Sequence, residues 1–302
     1  MVFETIDQVV DVIRKSASPK RLAVAAAADE HTLDAVVMAK KEGLVVPQLF
    51  GDAAGIEKVL AKLGDSTEGY EIHNATDDCD AAAQAVAAVR AGKADLLMKG
   101  NMQTGDMMRA VIDKEKGLLV EGGTISLFTI NEMANYHKLL VMTDTGICRD
   151  PNLDQKRGIV ENAVKVLRAY GYEKPKVAAL CAIEVVNPKM QETVDAAKLA
   201  EMSRTGELAD CVVEGPLSMD IAMNAMVAKY KGLESAVAGD PDILLFPSVL
   251  TGNITIKGIG SFGGMKKSVA FAVGAKVPIV LTSRGTDVEG KYLAILGAAA
   301  AS

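Results

Sequence analysis

Short apolar, β-branched runs alternate with helical patterns along almost the whole chain. RLAVAAA precedes a helix ending near Gly43, VVPQLFG precedes GIEKVLAKLG, and the Ala-rich DDCDAAAQAVAAVRAG precedes ADLLMKG. Within GIEKVLAKLG, Ile56, Val59, Leu60 and Leu63 recur at i, i+3, i+4 and i+7, one face of a helix. The scheme repeats further on. KLLVMTD predicts a strand, Val160, Ala163, Val164 and Leu167 predict one face of the helix after it, and KVAALCAI, CVVEG, DILLFP and PIVLTSR predict four more strands. Runs that are apolar throughout, not alternating, suit strands buried on both faces, as in parallel sheets. Strands alternating with helices predict an α/β fold. So many elements exceed one comfortable core. The expectation is therefore two α/β/α lobes with mostly parallel sheets and an interdomain cleft, the chain crossing near NEMANYH (131–137), and clefts of that kind are common ligand sites.

Composition narrows the chemistry. Of 302 residues, 49% are hydrophobic and 24% charged, which suits a globular protein with a large core; aromatic residues are only 4% with no Trp, so Ala, Val, Ile, Leu and Met must build it. The net charge is −6, with no block of five or more basic residues, which argues against nucleic acid. A small anion stays open, since two or three placed cations can hold one. The four cysteines, Cys79, Cys148, Cys181 and Cys211, form no C-x-x-C pair. The start, MVFETIDQVV, lacks the basic and apolar regions of a signal peptide, and no run of eighteen apolar residues occurs. The expectation is a cytoplasmic protein with free thiols and no membrane association.

Few catalytic signatures survive inspection. His31, His73 and His137 have no i, i+4 partner, so no metal site is expected. Neither a G-x-S-x-G elbow nor a G-x-x-x-x-G-K-[ST] phosphate loop occurs. Gly258, Gly260 and Gly263 do spell G-x-G-x-x-G, but TGNITIK before them reads as a loop entering a helix. The position that should be acidic, about 20 residues on, falls in the apolar run Pro278 to Leu281.

Polar groups at strand ends are the stronger signal, because open α/β sheets bind ligands at the carboxyl ends of their strands. ADLLMKG ends on Lys99 and leads into NMQTGDMMRAV, where Thr104 or Asp106 can cap a helix whose first turn offers free N–H groups, with Arg109 one turn inside. After DILLFP come Asn253 and Lys257, four apart and so on one helical face. After PIVLT come Ser283, Arg284 and Gly285. An apolar strand delivering a hydroxyl and a guanidinium together points to an anion, since the planar fork of arginine can bind two phosphate oxygens at once. Taken singly, Thr104 and Asp106 also suit a plain cap, and Arg109 and Lys257 a solvated face.

Taken together, MKGNMQTGDMMRA, KLLVMTDTGI, VEGPLSMDIA, KGLESAVAGDPDILLFPSVLTGNITIK and VPIVLTSRG, in that order and spacing, resemble the phosphate acetyltransferase/phosphate butyryltransferase family. The wording KVPIVLTSR and the short N-terminus are closer to the butyryl branch. The resemblance implies lobes of the isocitrate/isopropylmalate dehydrogenase type, with the C-terminal helix returning to the first: residues 1–134 plus 287–302, and 135–286. It implies reversible transfer of a short acyl group between CoA and inorganic phosphate to give an acyl phosphate, with CoA a substrate, no tightly bound cofactor, and a homodimer or larger homo-oligomer. It also assigns roles: Arg284 on the phosphoryl group, Ser283 hydrogen-bonding in the transition state, Arg109 contributing positive charge, and Asn253 and Lys257 lining the site; Lys99 and Thr104, at the strand end before that arginine, are further candidates for binding phosphate or CoA.

Two positions depart from the family pattern. The aspartate proposed as base for the CoA thiol falls at Gly290, leaving Glu289 as the candidate beside it, although Thr286-x-x-Glu289 also matches a capping box. A cysteine of the T-D element is replaced by Thr145. Competing classes are an NADP-dependent decarboxylating dehydrogenase, which needs converging metal-binding aspartates, and a non-catalytic CoA- or acyl-phosphate-binding protein.

Overall fold

The structure is a computed structural model describing residues 2–16, 18–283 and 285–302. In chain order its elements are α1 (Ile6–Ser16), β1 (Lys20–Ala25), α2 (Glu30–Lys41), β2 (Val45–Gly51), α3 (Ala53–Lys62), β3 (Glu71–Asn74), α4 (Asp78–Arg90), β4 (Leu96–Lys99) and α5 (Thr104–Val111). There follow β5 (Ser126–Met133), β6 (Leu140–Thr143), α6 (Leu153–Ala169), β7 (Lys176–Leu180), α7 (Gln191–Thr205), β8 (Val212–Leu217), α8 (Met219–Met223) and α9 (Ala225–Tyr230). The last elements are β9 (Ile243–Leu245), α10 (Val249–Ser261), β10 (Met265–Val273), β11 (Ile279–Val280) and α11 (Val288–Ala300). The fold is mixed α/β with mostly parallel strand pairing, as the continuous apolar runs predict.

The chain divides into two compact units. One comprises Val9–Gly123 with Val269–Ser302. Its strands lie in the order β3-β2-β1-β4-β11, all parallel, with the end of β10 antiparallel to β11. Leu22, Val24, Leu49, Leu96, Met98 and Ile279 are buried in the sheet. Helix α11 is buried over most of its length and packs chiefly against α2, with β11 and β4 beneath it. The chain runs outward from β1 through β2 to β3, then returns to place β4 on the other side of β1. The strand order thus reverses between β1 and β4, the position where open α/β sheets hold ligands.

The other unit comprises Met1–Gln8 with Thr124–Ser268. Its strands lie in the order β5-β6-β9-β7-β8, with β5 antiparallel to β6 and the others parallel. Leu140, Met142, Ala178, Leu217, Leu244 and Phe246 form its core. The expected face of α6, Val160, Ala163, Val164 and Leu167, is buried. Lys156 of α6 meets Asp195 of α7 at 2.8 Å, a pair almost out of water. At the amino ends of the parallel strands, Asp242 accepts from Lys138 Nζ and from the Lys176 backbone N–H, both at 2.7 Å. That edge is fastened by ion pairs, which leaves the carboxyl edge for chemistry.

The compact units divide at 8/9, 123/124 and 268/269, and β5 goes with β6, to which it pairs. Several details differ from expectation. Strands β3, β5 and β10 add to those predicted. β3 is a largely solvent-exposed edge, β5 carries Thr129 and Asn131 at buried positions, and β10 is only partly buried in its first half. The TGNITIK segment is inside α10, not a loop, so Gly258 and Gly260 lie within a helix and follow no strand. No helix among the described residues is long and apolar enough to cross a membrane.

Candidate active site

In the unit of Val9–Gly123 and Val269–Ser302, the carboxyl ends of β1, β4 and β11 lie side by side, with Ala25 opposite Lys99 and Val280 opposite Met98. The turn after β4 is tied to the turn after β1: Gly100 N–H donates to Ala25 O at 2.8 Å and Asn101 N–H to Ala26 O at 3.0 Å. A Cβ on Gly100 would lie 2.2 Å from Ala26 O, so only glycine lets these two backbones meet. That is the physical content of the K-G-N element. Lys99 is 1% exposed and its ammonium bonds the carbonyl oxygens of Gly100 and Met102, each at 3.1 Å. It braces this turn from beneath.

Helix α5 starts from the same turn. Its cap position is Gln103, without a side-chain cap bond, so Thr104 is the first helical residue and neither it nor Asp106 is the cap. Asp106 instead pairs with Arg109 at 2.9 Å, and the Arg109 side chain is three-quarters exposed. Arg109 is thus held one turn inside an amphipathic helix, within reach of solvent.

β11 ends in a tight turn. Thr282 is buried and Ser283 exposed; Ser283 O accepts from Thr286 N–H at 3.1 Å, and Ser283 Oγ accepts from Gly285 N–H at 3.3 Å. Arg284 lies outside the described residues. Because Thr286 N–H is used by Ser283, the expected Thr286–Glu289 capping box does not form. The cap of α11 is Asp287, whose carboxylate accepts from Gly290 N–H at 2.9 Å. A Cβ at Gly290 would meet Thr286 Cγ2 at 2.8 Å and Asp287 Oδ1 at 3.0 Å. Gly290 thus fits closely under the Asp287 cap. Glu289, in the first turn, is exposed and takes no part in that cap.

Asn253 and Lys257 belong to the other unit and lie one turn apart on α10, as the spacing predicts. Asn253 Nδ2 donates to Thr145 O at 3.0 Å, so its amide is engaged with the loop after β6; Lys257 is exposed. That loop is organised by Asp144, 2% exposed, whose carboxylate accepts from the N–H groups of Gly146 (2.8 Å), Ile147 (3.1 Å), Cys148 (2.7 Å) and Leu127 (3.3 Å). Gly252 packs against it, since a Cβ there would lie 2.6 Å from Asp144 O. The Cys148 thiol is pushed up to about 12, by burial first and then by Asp144 beside it, so it is no nucleophile at neutral pH.

The structure therefore gathers Lys99, Thr104, Ser283 and Glu289 around neighbouring strand ends of one unit, and places Asn253 and Lys257 together on α10 of the other. The sequence reading missed Lys291 of α11. It is 2% exposed, and its Nζ lies 3.4 Å from both Thr282 Oγ1 and Ser283 O. Burial pushes its pKa down, against a pull upward from Asp29. A lone lysine at the head of the apolar run YLAILGAAA was the available signal.

The ends of β1, β4, β6 and β11 are thus polar turns of an α/β protein, with a buried ammonium behind those of β4 and β11. The family model described as Phosphate acetyl/butaryl transferase matches residues 67–299, a stretch that includes each of these strand ends except that of β1. The chain belongs to that family. Phosphate butyryltransferase of Clostridium acetobutylicum is 42% identical over 285 residues, 94% of each chain. Phosphate acetyltransferase of Thermotoga maritima is 39% identical over 276 residues, 91% of this chain and 93% of that one. Among solved structures, a branched-chain phosphotransacylase from Enterococcus faecalis superposes with a TM-score of 0.79 at 28% identity, covering 93% of this chain and 98% of that one.

Proposed function

We propose that this chain is a phosphate acyltransferase that moves a short acyl group reversibly between CoA and inorganic phosphate, with butyryl preferred. One observation carries the reading: the family match, residues 67–299, includes the end of β11, a strand paired with β4 that is followed by an exposed Ser283 and, next in sequence, Arg284. Both the butyryl and the acetyl activities are named among relatives of nearly equal identity, so acetyl transfer is the second reading.

In this reading a phosphate oxygen adds to the thioester carbonyl carbon, the C–S bond breaks, and CoA leaves as a thiolate that takes up a proton. In reverse, the CoA thiol must lose that proton. With an ordinary thiol pKa of about 8.5, only a few per cent is thiolate at neutral pH, so a base helps. Glu289 is the proposed base, Arg284 the cation on the phosphoryl group, and Ser283 the donor to its developing charge. Thr104, Arg109, Asn253 and Lys257 are proposed to line the phosphate and CoA sites, and Lys99, buried against the carbonyls of Gly100 and Met102, to brace the β4 turn instead of touching either ligand. The same reading takes the units as lobes of the isocitrate/isopropylmalate dehydrogenase type, the protein as a cytoplasmic homo-oligomer, and CoA as a substrate with no tightly bound cofactor.

Thiol release from acetyl-, propionyl-, butyryl- and branched acyl-CoA in the presence of phosphate tests it. Butyryl-CoA is expected to give the highest kcat/KM. Arg284→Ala is expected to lower turnover on the order of a hundredfold, the scale for losing one strong charge-stabilising donor. No thiol release from any of these substrates refutes the function, and near-normal turnover by a folded Arg284→Ala protein refutes that residue's role.

A further inference from the structure

Lys291 is the only lysine of α11, and it is among the most deeply buried side chains of the protein. Its ammonium contacts Thr282 Oγ1 and Ser283 O at 3.4 Å each, the long end of the hydrogen-bond range. Among the described residues no carboxylate pairs with it; Asp29, at the cap of α2, acts on it through charge alone. Removing an ammonium from water for two long hydrogen bonds is unfavourable compared with an apolar side chain of equal length. The residues that follow it, Tyr292, Leu293, Ile295 and Leu296, are buried, so an apolar side chain would suit the same surroundings. Stability therefore does not account for this lysine.

Its position does. Both contacts are to the two residues at which β11 turns outward, and the second is the serine of the candidate site. Lys99 does the corresponding work for the neighbouring strand by holding Gly100 O and Met102 O. Adjacent strand ends are thus each braced by a buried ammonium. In an interior of low dielectric, fixed charge acts more strongly than in water, and it needs no rearrangement when an anion arrives.

We propose that Lys291 is a positioning residue of the acyl transfer: its ammonium holds the Thr282–Ser283 corner and sets a fixed positive charge behind it, so that Ser283 meets the phosphoryl group already oriented. This rests on the reading of the chain as a phosphate acyltransferase with Ser283 in its site.

The test replaces the ammonium with a neutral chain of similar length, Lys291→Met, and measures the thermal midpoint alongside steady-state thiol release from butyryl-CoA and acetyl-CoA with phosphate. The expected result is a midpoint equal to or above that of the wild type, a kcat at least about tenfold lower, and KM values for phosphate and acyl-CoA within about threefold. A merely structural lysine would not give that combination. A folded variant with wild-type kcat overturns the proposal. So does a joint fall of midpoint and activity in both Lys291→Met and Lys291→Leu, since the ammonium would then serve the fold alone. A wild-type protein that releases no thiol from either substrate overturns the acyltransferase reading itself, and this inference with it.

Discussion

Replacing Glu289 with glutamine separates two roles that the sequence leaves merged, because the cap of α11 belongs to a different residue. Asp287 accepts from Gly290 N–H at 2.9 Å. Losing such a cap costs about 1 kcal/mol, which in a chain of this size lowers the thermal midpoint by about 1–2 °C. Glu289→Gln keeps that bond and removes one carboxylate from the first turn of the helix, worth about 0.3–1 kcal/mol through the helix dipole. If Glu289 accepts the CoA proton, its loss slows turnover by about 10²–10⁴-fold, which is a rise of about 3–5 kcal/mol in the barrier. The chemical effect thus exceeds the stability effect severalfold. The assay is disappearance of CoA thiol with butyryl phosphate at saturation, measured beside a melting curve for each variant. Glu289→Gln is expected to lose rate while melting within about 2 °C of the wild type. Asp287→Ala is expected to melt earlier with its rate within about threefold. An unchanged rate in Glu289→Gln rejects the base assignment outright.

Asp195→Ala strands the Lys156 ammonium in the interior and is expected to cost about 3–5 kcal/mol, read as a lower urea midpoint; an unchanged midpoint would contradict the buried pair. Gly100→Ala forces a methyl group against Ala26 O and is expected to cost about 1–3 kcal/mol and to lower thiol release, whereas a fully stable variant would mean the two turns do not touch. At pH 8 a thiol reagent is expected to modify exposed Cys79 quickly, while Cys148 and Cys181, both held at about 12 chiefly by burial, and Cys211, at about 11 for the same reason, react only on denaturation; fast reaction of a second thiol in the native protein would count against this. Asp240 bears on acid stability. Burial raises its pKa, but Lys138, Lys176 and His137 hold the carboxyl well below the usual range. Its stabilisation is present above the ordinary aspartate pKa near 4 and is lost as pH falls below it. Asp240→Asn should therefore flatten the acid side of the stability–pH curve, and an identical acid slope would refute the role.

Much of the architecture was legible in the residues because parallel strands covered on both faces are written as unbroken apolar runs. β2, β4, β6, β7, β9 and β11 fall within predicted runs for that reason, and β1 and β8 overlap theirs. β3, β5 and β10 were not, because their burial is partial or their buried positions are polar, as with Thr129 and Asn131, whose partners come from across the sheet. The candidate site divides the same way. Ser283 and Lys99 could be found as polar residues ending apolar strands, and Asn253 and Lys257 as an i, i+4 pair.

Their actual partners could not be found so. Thr104 and Asp106 are equally good caps by type, and only the path of the chain makes Gln103 the cap position. Thr286 and Asp287 compete for one helix start, and the competition is decided by Ser283 O taking the Thr286 amide.

The sequence by itself thus determined the α/β class, the family and the strand ends where the anion chemistry is proposed, since burial pattern and motif order are local properties of the chain. Tertiary structure alone decided which helix α11 packs against, that its lysine lies buried beneath the serine turn, and that Asp287, not Thr286, caps it. Those outcomes depend on contacts between residues far apart in sequence, or on which of two near-equal local bonds the surrounding fold leaves available.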